Sequence, residues 1–190
     1  MSIGLIRAFA IFGCAGLVLL SGCDTCGDWM PLRKGKTWRY LIKDAAEVME
    51  VKCTEPRRVG DADGWLVSGP GGESTYAWDV CVLRTSRLGS MDFDPPIGIL
   101  QADKEDSSWK YTGNVTVRGQ RQKATAEITQ DATSIEDRYP EAMRVRVVLT
   151  IGENEIDLIT VFARGIGVVE QEQRNNGRTV SRAQLTNDSG

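Results

Sequence analysis

Met143-Arg144-Val145-Arg146-Val147-Val148-Leu149-Thr150-Ile151 decides the fold class. Apolar side chains recur at every second position, with arginine or threonine at most of the positions between. A period of two puts the apolar set on one face of an extended strand, whereas a helix would need a period of 3.6. Gly152-Glu153-Asn154-Glu155 then supplies a turn, and residues 156–164 run back. The unit is an antiparallel hairpin with one buried face.

The same pattern extends in both directions. Downstream, residues 168–174 and 178–185 flank Asn175-Asn176-Gly177, a strong two-residue hairpin signal. Residues 186–190 are expected to fray. Upstream, Trp109, Tyr111, Val115 and Val117 lead into a turn at Gly119, and Ala124, Ala126 and Ile128 return. Earlier still, Trp38, Tyr40 and Ile42 alternate with their neighbours, as do Met49, Val51 and Cys53, and then Tyr76, Trp78, Val80 and Val82. A short strand at residues 65–68 lies between glycine-rich turns. Residues 87–106, with Asp94-Pro95-Pro96, read as a long connection. Residues 130–141 are polar, contain Pro140 and read as a loop.

About ten short strands without a convincing amphipathic helix predict an all-β protein. The expectation is a single antiparallel β-sandwich or a strongly curved, half-barrel sheet. Trp38-x-Tyr40 and Trp109-x-Tyr111 each open a series of hairpins. Either the two halves are an internal duplication or the coincidence is chance.

The N-terminus has a different character. One cation, Arg7, precedes an uncharged apolar run over residues 8–20, which meets Leu20-Ser21-Gly22-Cys23. A short charged region, an apolar core and a small-residue cleavage site make a secretory signal, and the run is too short and glycine-interrupted for a spanning helix. An uncleaved anchor and an ordinary signal peptide are the competing readings. The Leu-Ser-Gly-Cys stretch resembles the lipobox of bacterial lipoproteins. That resemblance implies lipidation of Cys23, cleavage before it and anchorage to a bacterial membrane on its extracytoplasmic face. Residues 1–22 are then the signal peptide, 23–28 a lipidated tether and 29–190 one β domain. Asp24 follows the lipidated position directly; in enterobacteria-like lipoproteins that is an inner-membrane signal, but the choice of inner or outer membrane stays open.

A second resemblance rests on Pro31-Leu32-x-x-Gly35-x-x-Trp38-x-Tyr40, Trp109-Lys110-Tyr111-Thr112-Gly113, Ala142-Met143-Arg144-Val145 and Phe162-Ala163-Arg164-Gly165-Ile166-Gly167-Val168-Val169. These are similar to motifs of β-rich bacterial lipoproteins of unknown function. The likeness implies an exported β domain and supplies no catalytic residue, substrate or cofactor.

Composition narrows the chemistry. The chain has no histidine, which removes Ser-His-Asp and Cys-His catalysis and every zinc site that needs imidazole. Without Arg7 the 23 basic residues fall by one against 26 acidic, a net charge near −4 with no basic block. Nucleic acid is therefore not an expected partner. No acidic pair stands out as catalytic, no metal site is expected and no cofactor is implied. Asp92-Phe93-Asp94 reads as a solvated loop rather than a calcium site, and Gly165-Ile166-Gly167 as a strand bend rather than a dinucleotide motif.

With Cys14 in the signal and Cys23 lipidated, Cys26, Cys53 and Cys81 remain. Cys53 and Cys81 are the candidate disulfide, leaving Cys26 free or paired between molecules; two free buried thiols are the alternative. Six aromatic residues share strand faces: Trp38, Tyr40, Tyr76, Trp78, Trp109 and Tyr111. They either pack a core or line an apolar groove. The function read from this set is non-catalytic binding or scaffolding in the cell envelope, with an envelope protein as candidate partner. A carrier of lipid or another apolar ligand is the first alternative, and a histidine-free envelope hydrolase the second.

Replacing Cys23 with alanine is expected to block lipid transfer and with it signal cleavage. The variant should run larger than wild type on a denaturing gel of membrane fractions. Processing to the wild-type size would refute the lipobox reading.

Overall fold

The structure, a computed structural model, describes residues 24–135 and 138–189. The signal segment and Cys23 lie outside the described residues. A short 3-10 helix, Asp24–Trp29, leads into twelve strands. These are β1 (Thr37–Ile42), β2 (Glu47–Val59), β3 (Ala62–Gly69), β4 (Gly72–Asp79), β5 (Val82–Leu88) and β6 (Met91–Gln101). Then come β7 (Ser107–Val117), β8 (Gln120–Ile135), β9 (Tyr139–Ile151), β10 (Asn154–Ala163), β11 (Gly167–Asn175) and β12 (Arg178–Ser189).

Each strand pairs antiparallel with its neighbours in sequence, and β1 pairs with β12, so the sheet is a closed up-and-down barrel. The expected all-β class holds. The sandwich and the half-barrel are both corrected. Alternation within strands says which face is buried but not whether the first strand meets the last. Here Thr37–Ile42 does so, with Trp38 opposite Asp188 and Tyr40 opposite Leu185. The C-terminal stretch expected to fray therefore continues β12, and Thr186 Oγ1 donates to the carbonyl of Arg39 at 2.9 Å.

Two expected loops are strands. Residues 91–101 of the supposed long connection form β6, and the polar stretch after Gln130 extends β8 to Ile135. Polarity misled there because one side of a barrel wall faces water. The Asn175-Asn176-Gly177 turn is as expected: Asn175 pairs with Arg178, and Asn176 and Gly177 both have positive φ.

The wall has one seam. The β6–β7 ladder covers only residues 91–94 against 114–117, then meets Pro95-Pro96, which have no N–H to give. Side chains take over beyond it. Tyr111 Oη donates to the Pro95 carbonyl at 3.0 Å and Trp109 Nε1 to the Gly98 carbonyl at 3.0 Å. The buried amide of Gln130 both accepts from the N–H of Gln101 and donates to its carbonyl. Backbone groups that would otherwise be buried unpaired are thereby satisfied.

Charged pairs run along the outside of the barrel in strand register. Arg39 meets Glu50, Lys110 meets Glu127 and Arg144 meets Asp131 across β1–β2, β7–β8 and β8–β9. A membrane-spanning barrel presents an apolar band there instead. A denser cluster crosses β9 to β12. Arg146 holds the buried Asp157 by two bonds of 2.9 Å, while Glu172 accepts from Arg174, Thr179 and Arg182. Hydrogen bonding from Arg174 first, then Thr179 and Arg182, outweighs desolvation and lowers the Glu172 pKa from 4.5 to about 2.

A depressed carboxylate pKa stabilises the fold above its unfolded value and loses that contribution as pH falls through the folded value. Glu172→Gln should therefore be less stable than wild type at pH 7 in urea unfolding. The difference should hold down to about pH 4.5 and close toward about pH 2. A gap that persists undiminished at pH 2 would refute this assignment.

Candidate functional site

Up-and-down topology sends alternate turns to opposite ends. Turns β1–β2, β3–β4, β5–β6, β7–β8, β9–β10 and β11–β12 gather at one end, and the remaining turns and the incoming chain gather at the other. The two ends differ.

The second end is closed by residues 26–38. Gly165 N–H donates to the carbonyl of Asp28 at 2.7 Å. Trp78 Nε1 donates to the carbonyl of Met30 at 3.1 Å, and Trp38 Nε1 to that of Ile166 at 2.7 Å. Met30 and Trp38 are buried and form the floor of the lumen. Gly167 makes room for this plug: its φ is +107°, and a Cβ there would lie 3.1 Å from Trp38 Nε1 and 3.2 Å from Met30 Sδ. Gly165-Ile166-Gly167 is the bend its sequence suggested, and the structure adds that Gly167 makes room for the plug.

Cysteine pairing differs from the sequence expectation. Cys26 is bonded to Cys81, with Cα atoms 5.2 Å apart and a sequence separation of 55. Cys53 is free and buried. The Cys53–Cys81 pair is corrected, and Asp24–Trp29 form the 3-10 helix that Cys26 and Asp28 fasten to the barrel end. Cys53 faces the interior of β2, whereas Cys81 sits in the β4–β5 turn beside the incoming chain. Spacing along the chain could not distinguish these positions. Burial pushes the Cys53 thiol up to about 11, against a weaker pull from the backbone of Arg33.

Above the floor the lumen is unevenly filled. On the β6–β9 side the side chains meet. Phe93 and Tyr111 pack edge to face with centroids 6.1 Å apart. Tyr111 lies over Gly113, where a Cβ would collide with its phenol oxygen, and opposite the small Ala126. Burial, reinforced by the charge of Asp94, raises the Tyr111 pKa. On the other side an open cavity of about 870 Å³ reaches from Met30 to the first end.

The six aromatics flagged in the sequence all belong to the interior but divide between two roles. Trp38, Tyr40 and Tyr76 line the cavity. Tyr40 Oη donates to the carbonyl of Val168 at 3.0 Å, and burial raises the Tyr76 pKa. Trp78, Trp109 and Tyr111 belong to the packed part. Core and groove are thus both present, and the two Trp-x-Tyr motifs lie on β1 and β7, six strands apart, in unlike surroundings.

Met49, Val51, Val67, Leu88 and Met91 line the β2–β6 wall, and Ile156 and Leu158 stand on β10. From Asn176 in the β11–β12 turn a polar stripe runs down β11 through Asn175, Gln173 and Gln171, with Ser181 beside it on β12. Sequence reading passed over this stripe because β11 has a bulge near Val168, so its inward parity emerges only from the β10 register. Glu155 is the one charged residue among the described residues that line the cavity. The two acids of Asp92-Phe93-Asp94 are ion-paired to Arg87 and Arg121.

No family model matches the chain, and no curated protein matches it. Solved structures that resemble it include a candidate exported protein with a YmcC-like fold from Bacteroides fragilis. It is 9% identical with a TM-score of 0.49, over 83% of this chain and 97% of that one. Another is a candidate lipoprotein from Parabacteroides distasonis, 11% identical with a TM-score of 0.49, over 85% and 98% of the two chains.

Non-reducing peptide mapping of exported protein is expected to recover a peptide pair joined through Cys26 and Cys81, with Cys53 alkylated only after denaturation. Cys81→Ser opens a 55-residue loop, which the chain-entropy relation puts at about 4 kcal/mol in urea unfolding. A Cys53–Cys81 peptide pair would refute the pairing.

Proposed function

We propose that the protein is an extracytoplasmic binding protein that carries a lipid-like or other apolar small molecule in its barrel. A lipid on Cys23 holds it to the bacterial envelope. The cavity of about 870 Å³ carries this reading. Ligand sites run roughly 300–1,000 Å³, are largely apolar and have a few polar groups that orient the ligand. A barrel filled throughout would have favoured pure scaffolding. A hydrolase built on an acidic pair would need a second carboxylate beside Glu155, and Glu155 is the one carboxylate that lines the cavity among the described residues.

The Cys26–Cys81 bond supports export, since such bonds persist in oxidising compartments. It also gives the proposal a direction. Cys26 is tied to the closed end, and Cys23 is three residues away, at most about 11 Å of chain. A lipid on Cys23 would therefore sit at the closed end and leave the mouth facing away from the bilayer. Loading and unloading would take place on that far side.

Native mass spectrometry of the mature protein, recovered from its own membranes, tests the reading. Wild type should retain one non-covalent, acyl-bearing small molecule per chain. Leu158→Trp, which puts an indole into the empty space, should lose it while keeping the wild-type urea midpoint. Wild-type protein that emerges bare would refute the proposal.

A further inference from the structure

Apart from Glu155 at the rim, the cavity wall carries no charged side chain among the described residues, and the kind of ligand follows from that. We propose that the occupant is an uncharged amphiphile: an apolar chain whose head carries hydroxyl or amide groups, and neither a carboxylate nor a phosphate. The inference rests on the carrier reading and specifies the ligand of that same site.

No lysine or arginine lines the cavity among the described residues. An anionic head drawn into the lumen would leave water and find no cation, and a buried unpaired charge is strongly disfavoured. Lys36 is buried, with Nζ 5.9 Å from the centre of the Trp38 ring. It stands behind the floor and does not line the cavity. Glu155, at the exposed rim, adds repulsion for an anion and only a weak, solvated attraction for a cation.

The β11 stripe supplies the opposite chemistry. Gln171 and Gln173 are half-buried and face the lumen, in register with Ala183 and Ser181 of β12. Gln171 Nε2 donates to Thr160 Oγ1 at 3.5 Å, and Gln173 Nε2 to Asn175 Oδ1 at 3.1 Å. Each amide has further donor and acceptor positions beyond that bond. Neutral donors and acceptors in a row suit a hydroxyl- or amide-bearing head, which both gives and receives hydrogen bonds. The facing wall of Met49, Val51, Val67, Leu88 and Met91 suits the chain. One side of the lumen thus matches each half of the ligand.

The test compares three probes with the same twelve-carbon tail: 1-monododecanoylglycerol, dodecanoate and dodecyltrimethylammonium. Each is titrated at pH 8 into the full mature protein in phosphatidylcholine nanodiscs, with empty nanodiscs as control. Displacement of N-phenyl-1-naphthylamine is the readout. The glyceride should bind about tenfold or more tighter than either ion, the scale of one unpaired polar group in a buried site. Gln173→Lys should reverse the order between glyceride and dodecanoate. Equal affinities, or either ion binding best to wild type, would overturn the uncharged-head inference and leave the carrier reading standing. Failure of all three probes and of the naphthylamine to bind would overturn the carrier reading itself.

Discussion

Closing twelve strands into one barrel sets the width of its interior, and the rest of the structure responds to that width. About eight strands give a lumen that side chains fill or that holds one small ligand, whereas 16 to 18 leave an aqueous channel. Twelve fall between. With β1 paired to β12 the sheet closes, and its backbone is satisfied in the ladder except along the β6–β7 seam, where side chains take over. The interior is then too wide for opposing walls to meet everywhere.

The chain resolves the excess width asymmetrically. From β6 to β9, large and small residues interlock, as where Tyr111 rests on Gly113 opposite Ala126. The β6–β7 seam lies in this half, and Trp109, Tyr111 and Gln130 spend their polar atoms sealing it. On the far side, glutamine, serine and alanine on β11 and β12 face inward, leaving the space that aromatic rings take up elsewhere. The cavity is therefore a product of side-chain choice on two strands as much as of strand number.

The floor couples this cavity to the chain's point of entry. Met30 and Trp38 close the lumen, Trp78 and Gly165 hold the segment by hydrogen bonds, and Cys26–Cys81 fastens it covalently. The residues next to the proposed lipid site are also those that make the barrel one-ended. A pull on the anchor would thus be borne by the closed end through the disulfide, leaving the mouth free.

Local sequence determined what local physics controls. The two-residue alternation from Met143 to Ile151 established the strand and its buried face, and Asn175-Asn176-Gly177 established a hairpin in the correct register. The aromatic positions marked the interior side of β1, β4 and β7. Tertiary structure decided everything that depends on meetings between distant strands. Whether β1 reaches β12, whether Cys81 faces Cys26 or Cys53, and whether Trp38 borders space or Trp109 a neighbour are not encoded in periodicity. Period two specifies a side of the sheet, but closure, lumen width and the phase of β11 after its bulge arise only when all twelve registers are set together.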